Sequence, residues 1–306
     1  MVLEHPENGW LNKIIIQADS KKEIVMAIYY VDGTFVSREE AVLPVEDLAI
    51  LRGYGVFDFL RTYGGHPFHL DAHIRRLQNS AQLIGLSCPW SHSEISGIVN
   101  ETMNRNNFSE SNIRLLITGG DSDDSITPGS KPRLLVMISP VKQFPDQWYK
   151  DGVQIITTNI TRYIPGAKSI DYIRAIITLS NARTAGAVES VYVDDDGQVL
   201  EGTTSNLFAV IKGQLMSPAI DILPGVTRDV VLNLTATDFK PELAVIRKED
   251  ILTADELFLT SSNKEVLPVT NVDGVTIGTG RPGEVTAGIM KLFADYTREY
   301  AAGLIS

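Results

Sequence analysis

Short runs with alternating apolar and polar residues recur along the chain, and each is broken by a turn signal. The segment EIVMAIYYVDGTFVS (23–37) carries two such runs around Asp32-Gly33. Asp-Gly between extended runs predicts a hairpin, because a tight two-residue turn needs residues that tolerate positive φ. FDFLRTYGGHPFHL (57–70) repeats the device around Gly64-Gly65. The period then changes. In DAHIRRLQNSAQLIGL, Ile74, Leu77, Ala81 and Ile84 recur at helical spacing, and Asp71 is the predicted N-cap. NIRLLITGG (112–120) and RLLVMISP (133–140) predict strands joined by the polar loop DSDDSITPGSKP.

VKQFPDQWYKDG (141–152) is polar, has no period and holds a proline and a glycine, so it predicts a linker. Beyond it, VQIITTNI predicts a strand, and SVYVDDDGQVLEG and SNLFAVIKGQLMSP predict two more hairpins. Helices with apolar faces are predicted over 226–236 and 284–300. A further helix is predicted after Lys168, capped by Ser169, with Ile173, Ile176, Ile177 and Ser180 on one face and Gly186 at its end. The pattern predicts an α+β chain of two domains. Residues 1–140 form a small mixed unit, 141–152 the linker and 153–306 the larger unit, with the cleft between them as the default site.

Composition narrows the class. A length of 306 residues suits two domains, and 43% hydrophobic content is that of an ordinary globular protein. No apolar run reaches the length of a membrane span, and MVLEHPENGW lacks the basic start and apolar core of a leader. The one cysteine, Cys88, forms neither an internal disulfide nor a multi-cysteine metal site, and the whole predicts a cytoplasmic protein. A net charge of −11 argues against nucleic acid as a partner, because phosphate repulsion would go uncompensated. The five histidines show no metal-ligand spacing, so no metal is expected. The chain has no GxSxG elbow, no GxxxxGK[ST] loop and no HExxH helix.

The candidate chemistry lies in IPGAKSIDYIRAI (164–176), where Lys168 precedes the predicted helix. A cation just ahead of a helix N-terminus is disfavoured by the helix dipole. That field, with burial, lowers the pKa of an amine and makes it a nucleophile able to form a Schiff base with an aldehyde. A Schiff-base lysine on pyridoxal phosphate requires a group for the phosphate and a carboxylate for the pyridine nitrogen. Glu201, at the end of a predicted strand in EGTTSNLF, offers the carboxylate.

GAKSIDYIRAI followed by VYVDDDGQVLEGTTSNLFAV resembles the class IV, fold-type IV pyridoxal-phosphate enzymes. These include branched-chain aminotransferases, D-amino-acid aminotransferases and aminodeoxychorismate lyase. YGVFDFLRTYGGHPFHLDAHIRRL (54–77) is similar to the small-domain signature of the family, and LPGVTRDVV and ELFLTSSNKEVLPV to its phosphate-cradling segments. The segments run in one order between residues 30 and 300.

The resemblance implies a small N-terminal α/β domain, a larger C-terminal domain, pyridoxal 5'-phosphate in the cleft and a homodimer. It implies that Lys168 forms the Schiff base and shuttles the proton, and that Glu201 pairs with the pyridine nitrogen. Arg76 matches the phosphate clamp, with Arg75 left in solvent. Val226 and Thr227 match a phosphate contact at a helix start, and Ser261 and Ser262 match a second. Tyr172 matches a residue near the 3′ oxygen of the cofactor. Arg114 matches a strand arginine that binds carboxylate, and Arg52 lies in a loop that enters the site of the neighbouring subunit. Arg61 aligns with a basic residue lining the pocket, and pairing with an acidic neighbour is its alternative.

Two departures bear on the substrate. Phe59 replaces the glycine usual in branched-chain enzymes, and the loop GGDSDDSITPGS lacks the Arg-x-His pair of typical D-amino-acid enzymes. The expected activity is a transaminase moving the amino group of an amino acid, a D-amino acid favoured, to a 2-oxo acid such as 2-oxoglutarate or pyruvate through pyridoxamine phosphate. Arg52 and Arg114 are the expected carboxylate pair. The alternatives are a branched-chain L-amino-acid aminotransferase and aminodeoxychorismate lyase.

Overall fold

The computed structural model describes residues 27–305. MVLEHPENGW and residues 23–26 of the first predicted hairpin lie outside the described residues. Strands β1 (Ile28–Val31), β2 (Thr34–Ser37), β3 (Gly55–Tyr63), β4 (His66–Pro67), β5 (Ser111–Thr118) and β6 (Arg133–Pro140) form one sheet, ordered β2-β1-β6-β5-β3-β4. Every pairing in it is antiparallel. Asp32 and Gly33 both take positive φ in the β1–β2 turn, as the hairpin signal requires. The short helix α1 (Leu48–Arg52) precedes β3, and α2 (Leu70–Leu83) and α3 (His92–Asn104) cover the sheet. Ile74, Leu77 and Ala81 of α2 and Ile95 and Val99 of α3 pack on Val56, Leu60, Ile113 and Leu115. Each of the fully buried isoleucine, leucine and valine side chains contributes roughly 1.5–3 kcal/mol.

The segment 141–152 contains the short helix α4 (Asp146–Asp151). A second sheet follows, built from β7 (Val153–Asn159), β8 (Glu189–Val193), β9 (Val199–Gly202), β10 (Asn206–Ile211), β11 (Gln214–Pro218), β12 (Glu242–Ala244), β13 (Glu256–Ser261), β14 (Glu265–Val272) and β15 (Val275–Thr276). Its main order is β12-β11-β10-β13-β14-β7-β8-β9, and β15 pairs with β14. The central β14-β7-β8 pairings are parallel. A parallel pair needs a crossover, and helix α5 (Ile173–Thr184) supplies the one from β7 to β8. The other helices of this half are α6 (Val226–Thr235), α7 (Lys248–Leu252) and α8 (Glu284–Ala301). Helices and strands are thus mixed, the α+β class expected. The two sheets share a core in which Tyr63 and Phe68 pack with Phe208, Phe258, Ile289 and Phe293. No helix among the described residues is long and apolar enough to cross a membrane.

Two helix starts differ from the sequence expectation. The N-cap of α2 is His69, in the left-handed region, and Asp71 lies in the first turn, where its carboxylate accepts from His92 Nε2 at 2.7 Å. Helix α5 begins at Ile173 with Tyr172 as N-cap, so Ser169 caps nothing. Its buried face is Ala175, Thr178 and Ala182, and Ile173, Ile176 and Ile177 are 69%, 64% and 55% exposed. The helix carries two candidate stripes. The small residues win the contact with β7 and β8 because they allow close approach, and the isoleucine stripe is left bare on this chain.

Candidate active site

The approach of the two sheets leaves a cavity of about 970 Å³. Its walls come from β3, β5, the 160–175 segment, the β9–β10 turn, the α6 N-terminus and the β13–β14 turn. Lys168 sits in it on an extended stretch beside β3. Phe57 N donates to the Lys168 carbonyl at 2.9 Å, and Ile170 N to that of Gly55 at 3.0 Å. Lys168 N donates to Ser80 Oγ on α2 at 3.0 Å. The backbone is thus pinned on both sides, and Nζ lies 4.7 Å from the centre of the Phe57 ring. Burial foremost, then the Arg76 charge, bring the amine down to about 7, while Asp58 and Glu201 pull the other way. The helix-dipole argument fails here, because α5 starts only at Ile173.

Glu201 is the penultimate residue of β9 and is buried. Its Oε1 accepts from Arg162 Nε at 2.8 Å, and its Oε2 from Leu223 N at 3.0 Å. Burial pushes the carboxyl up, and Arg162 and the Leu223 amide oppose the rise. Arg162 NH1 also donates to the Ala167 carbonyl at 2.9 Å, which ties the Glu201 wall to the Lys168 segment.

Arg76 projects from α2 with NH1 on the Pro224 carbonyl at 3.1 Å, beside the start of α6. Its Nε and NH2 donate to the two oxygens of Asp58 at 2.9 and 2.8 Å. Asp58 is fully buried and also accepts from His73 Nδ1 at 2.6 Å. Burial alone would raise its carboxyl; Arg76 and His73 override that and hold it well below the usual range. At the same end, Val226 and Thr227 open α6, whose N-cap Gly225 has no side chain to cap with. A Cβ at Gly225 would run into Asn206 Oδ1, so the close approach demands glycine. Uncapped N–H groups beside a guanidinium form an anion site. Ser261 and Ser262 line that cavity too.

A protein-family model described as amino-transferase class IV matches residues 55–272. The chain belongs to the class IV aminotransferases.

A Methanocaldococcus jannaschii protein, provisionally named a branched-chain-amino-acid aminotransferase, is 34% identical over 279 residues, covering 87% of this chain and 95% of that one. The D-alanine aminotransferase of Bacillus licheniformis is 31% identical over 264 residues, covering 84% and 93%. The solved structure of a hypothetical aminotransferase from Mycobacterium tuberculosis, in its PLP-bound form, superposes with a TM-score of 0.77 at 26% identity, covering 89% and 98%.

In this class IV chain the fold gathers Arg76, Lys168, Tyr172, Glu201, Val226, Thr227, Ser261, Ser262 and Arg114 on one cavity. Arg75 is exposed. Tyr172 packs edge-on against Phe57 at 5.4 Å, and burial pushes its hydroxyl up to about 12. Arg114 lies against the Phe57 and Phe59 rings, at 5.2 and 5.4 Å, and has no carboxylate partner among the described residues. Arg52 does not join them: it is exposed at the end of α1, with NH1 on the Leu51 carbonyl. Arg61 is not a lining residue either. Its NH1 pairs with Glu265 on β14 at 3.0 Å, so the acidic partner comes from the other sheet. Sequence reasoning missed Asp58 as the brace of Arg76 and Arg162 as the partner of Glu201. Only the position of Asp58 inside the strand signature, where a charge faces the core, could have flagged it.

Proposed function

We propose that this class IV aminotransferase holds pyridoxal 5'-phosphate in the 970 Å³ cavity and moves the amino group of a D-amino acid with a short side chain to a 2-oxo acid. The observation that carries the reading is the convergence of a depressed amine, a buried carboxylate and an uncapped helix start beside a braced guanidinium. Those are the groups that the aldehyde, ring nitrogen and phosphate of the cofactor require, so the residues fit it. When bound, the cofactor supplies an electron sink for the negative charge that develops at substrate Cα.

The residues divide the remaining work. Arg76, the N–H groups of Val226 and Thr227, and the hydroxyls of Thr227, Ser261 and Ser262 hold the phosphate. Glu201 holds a proton at the ring nitrogen, and Tyr172 donates to the 3′ oxygen. Lys168 takes and returns the proton at substrate Cα, for which an amine titrating near 7 is well matched. Arg114 receives the substrate carboxylate, and Phe59 beside it limits side-chain size. Residues 1–140 and 153–306 act as two domains about the 141–152 connection.

Half-reactions with enantiomerically pure alanine, glutamate and leucine test the reading: turnover of L-leucine alone rejects the D-amino-acid donor. The second reading, a branched-chain L-amino-acid aminotransferase, draws support from the 34% identical relative. Release of pyruvate from aminodeoxychorismate without an amino acceptor would point to the lyase. Arg114→Ala is expected to raise KM for the amino donor about 10–100-fold with a smaller change in kcat, as for a lost charged hydrogen bond. Glu201→Gln is expected to keep cofactor affinity and to slow single-turnover proton transfer about 100-fold. A Glu201→Gln half-reaction as fast as wild type would reject that role.

The isoleucine stripe of α5 and the exposed Arg52 support a homodimer, in which a second copy covers the stripe and α1 approaches the neighbouring cavity. Ile173→Asp with Ile176→Asp should lower the mass found by light scattering from two chains to one. An unchanged mass would place the dimer contact elsewhere.

A further inference from the structure

Beside the cavity lies a buried cation that none of the roles above uses. Lys264 follows the Ser261–Asn263 turn, and its side chain runs away from the surface to Glu189 at the start of β8. Both residues are buried, and Nζ lies 2.8 Å from Glu189 Oε2. Nζ donates in addition to Thr204 Oγ1 at 2.6 Å. The same Glu189 carboxylate accepts from the hydroxyl of Thr203, from Thr204 Oγ1 at 2.6 Å and from Ser205 Oγ at 3.2 Å. Three consecutive hydroxyls of the β9–β10 turn therefore converge on one carboxylate, and one lysine links that carboxylate to the β13–β14 turn.

Both turns line the cavity. The second is held at Ser261, Asn263 and Lys264. Lys264 N donates to Ser261 Oγ at 3.3 Å, Ser261 Oγ donates to Asn263 Oδ1 at 3.0 Å, and Tyr149 OH donates to the Lys264 carbonyl at 3.1 Å. The next residue, Glu265, takes a φ of 58° and accepts from Arg61 and Tyr63 of the first sheet at 3.0 and 2.8 Å. A buried ion pair adds little net stability compared with an apolar replacement. What it supplies is geometry, because any displacement of one turn leaves a buried charge unpaired.

We propose that Lys264 is a positioning residue: through Glu189 it locks the Thr203–Ser205 turn to the Ser261–Asn263 turn, and so sets the hydroxyls and N–H groups of the latter for the phosphate of the cofactor. The inference rests on the phosphate assignment made above.

Titration of the cofactor-free chain with pyridoxal phosphate and with pyridoxal, which lacks the phosphate, separates a positioning role from a merely structural one. Lys264→Met should raise the Kd for pyridoxal phosphate about tenfold, the scale of one misplaced hydrogen bond to a charged group. The Kd for pyridoxal should move less than about twofold. Thr204→Val, which keeps the ion pair and removes the one hydroxyl of the turn that bonds both of its members, should weaken the preference for the phosphorylated form in the same direction. The double variant Glu189→Gln with Lys264→Met removes both charges, spares the fold an unpaired ion, and should still lose the preference. Constants that move together in all three variants, or that do not move, overturn the inference. A wild-type chain with no preference for the phosphorylated form would overturn the phosphate assignment itself, and the inference with it.

Discussion

Lys168→Ala is expected to lower transamination about 10⁴-fold, the upper range for a positioned acid–base group, and to remove the yellow colour of the cofactor-loaded protein. No other lysine among the described residues lines the cavity. Lys264, the other lysine beside the cavity, is committed to Glu189. Lys168 is held by backbone bonds to β3 and α2, and burial and the Arg76 charge lower its amine against the pull of Asp58 and Glu201. The pH dependence follows from its value of about 7 against the ordinary 10.5. Only the neutral amine combines with an aldehyde, and it is the dominant form above the folded pKa. Cofactor uptake by the cofactor-free chain should therefore speed up as pH rises through about 7 and level off above it. Stopped-flow absorbance measures this. A rate that keeps climbing to the pKa of a free lysine, or a Lys168→Ala protein with near-normal turnover, would refute the assignment.

The second large effect is on stability. Asp58→Asn is expected to cost about 3–5 kcal/mol, because it leaves the charge of Arg76 buried without its counter-ion. Asp58 is fully buried and is the only carboxylate that Arg76 touches among the described residues. Replacing Arg76 by methionine in the same chain should recover much of the loss, since the orphaned charge is then gone. Urea midpoints at neutral pH measure both. The folded pKa of Asp58 is depressed, so its contribution is whole above the ordinary value of 3.8 and is lost as pH falls below it. The gap between wild type and Asp58→Asn should therefore narrow in acid. A loss under about 1 kcal/mol at neutral pH would mean that Arg76 finds another partner.

Much of this protein can be read from neighbours along the chain. The hairpin at Asp32-Gly33, the strands around 112–120 and 133–140, and the helix over 284–300 follow from local period and turn chemistry, which act within a few residues. Lys168 and Glu201 were legible as a pair because five segments in order carry one site. Period could not say which stripe of α5 would be buried, because both stripes suit an interface and the choice belongs to β7 and β8. Charge partners were equally out of reach. Asp58 and Arg76 are 18 residues apart, Arg162 and Glu201 39, and Lys264 and Glu189 75. The sequence by itself determined most of the elements and singled out Lys168, since those depend on propensity and on residue type. Only the tertiary structure decided which ions pair, and with them the lowered amine and the braced guanidinium, because Coulomb and desolvation energies depend on distances that exist only once the two sheets have met.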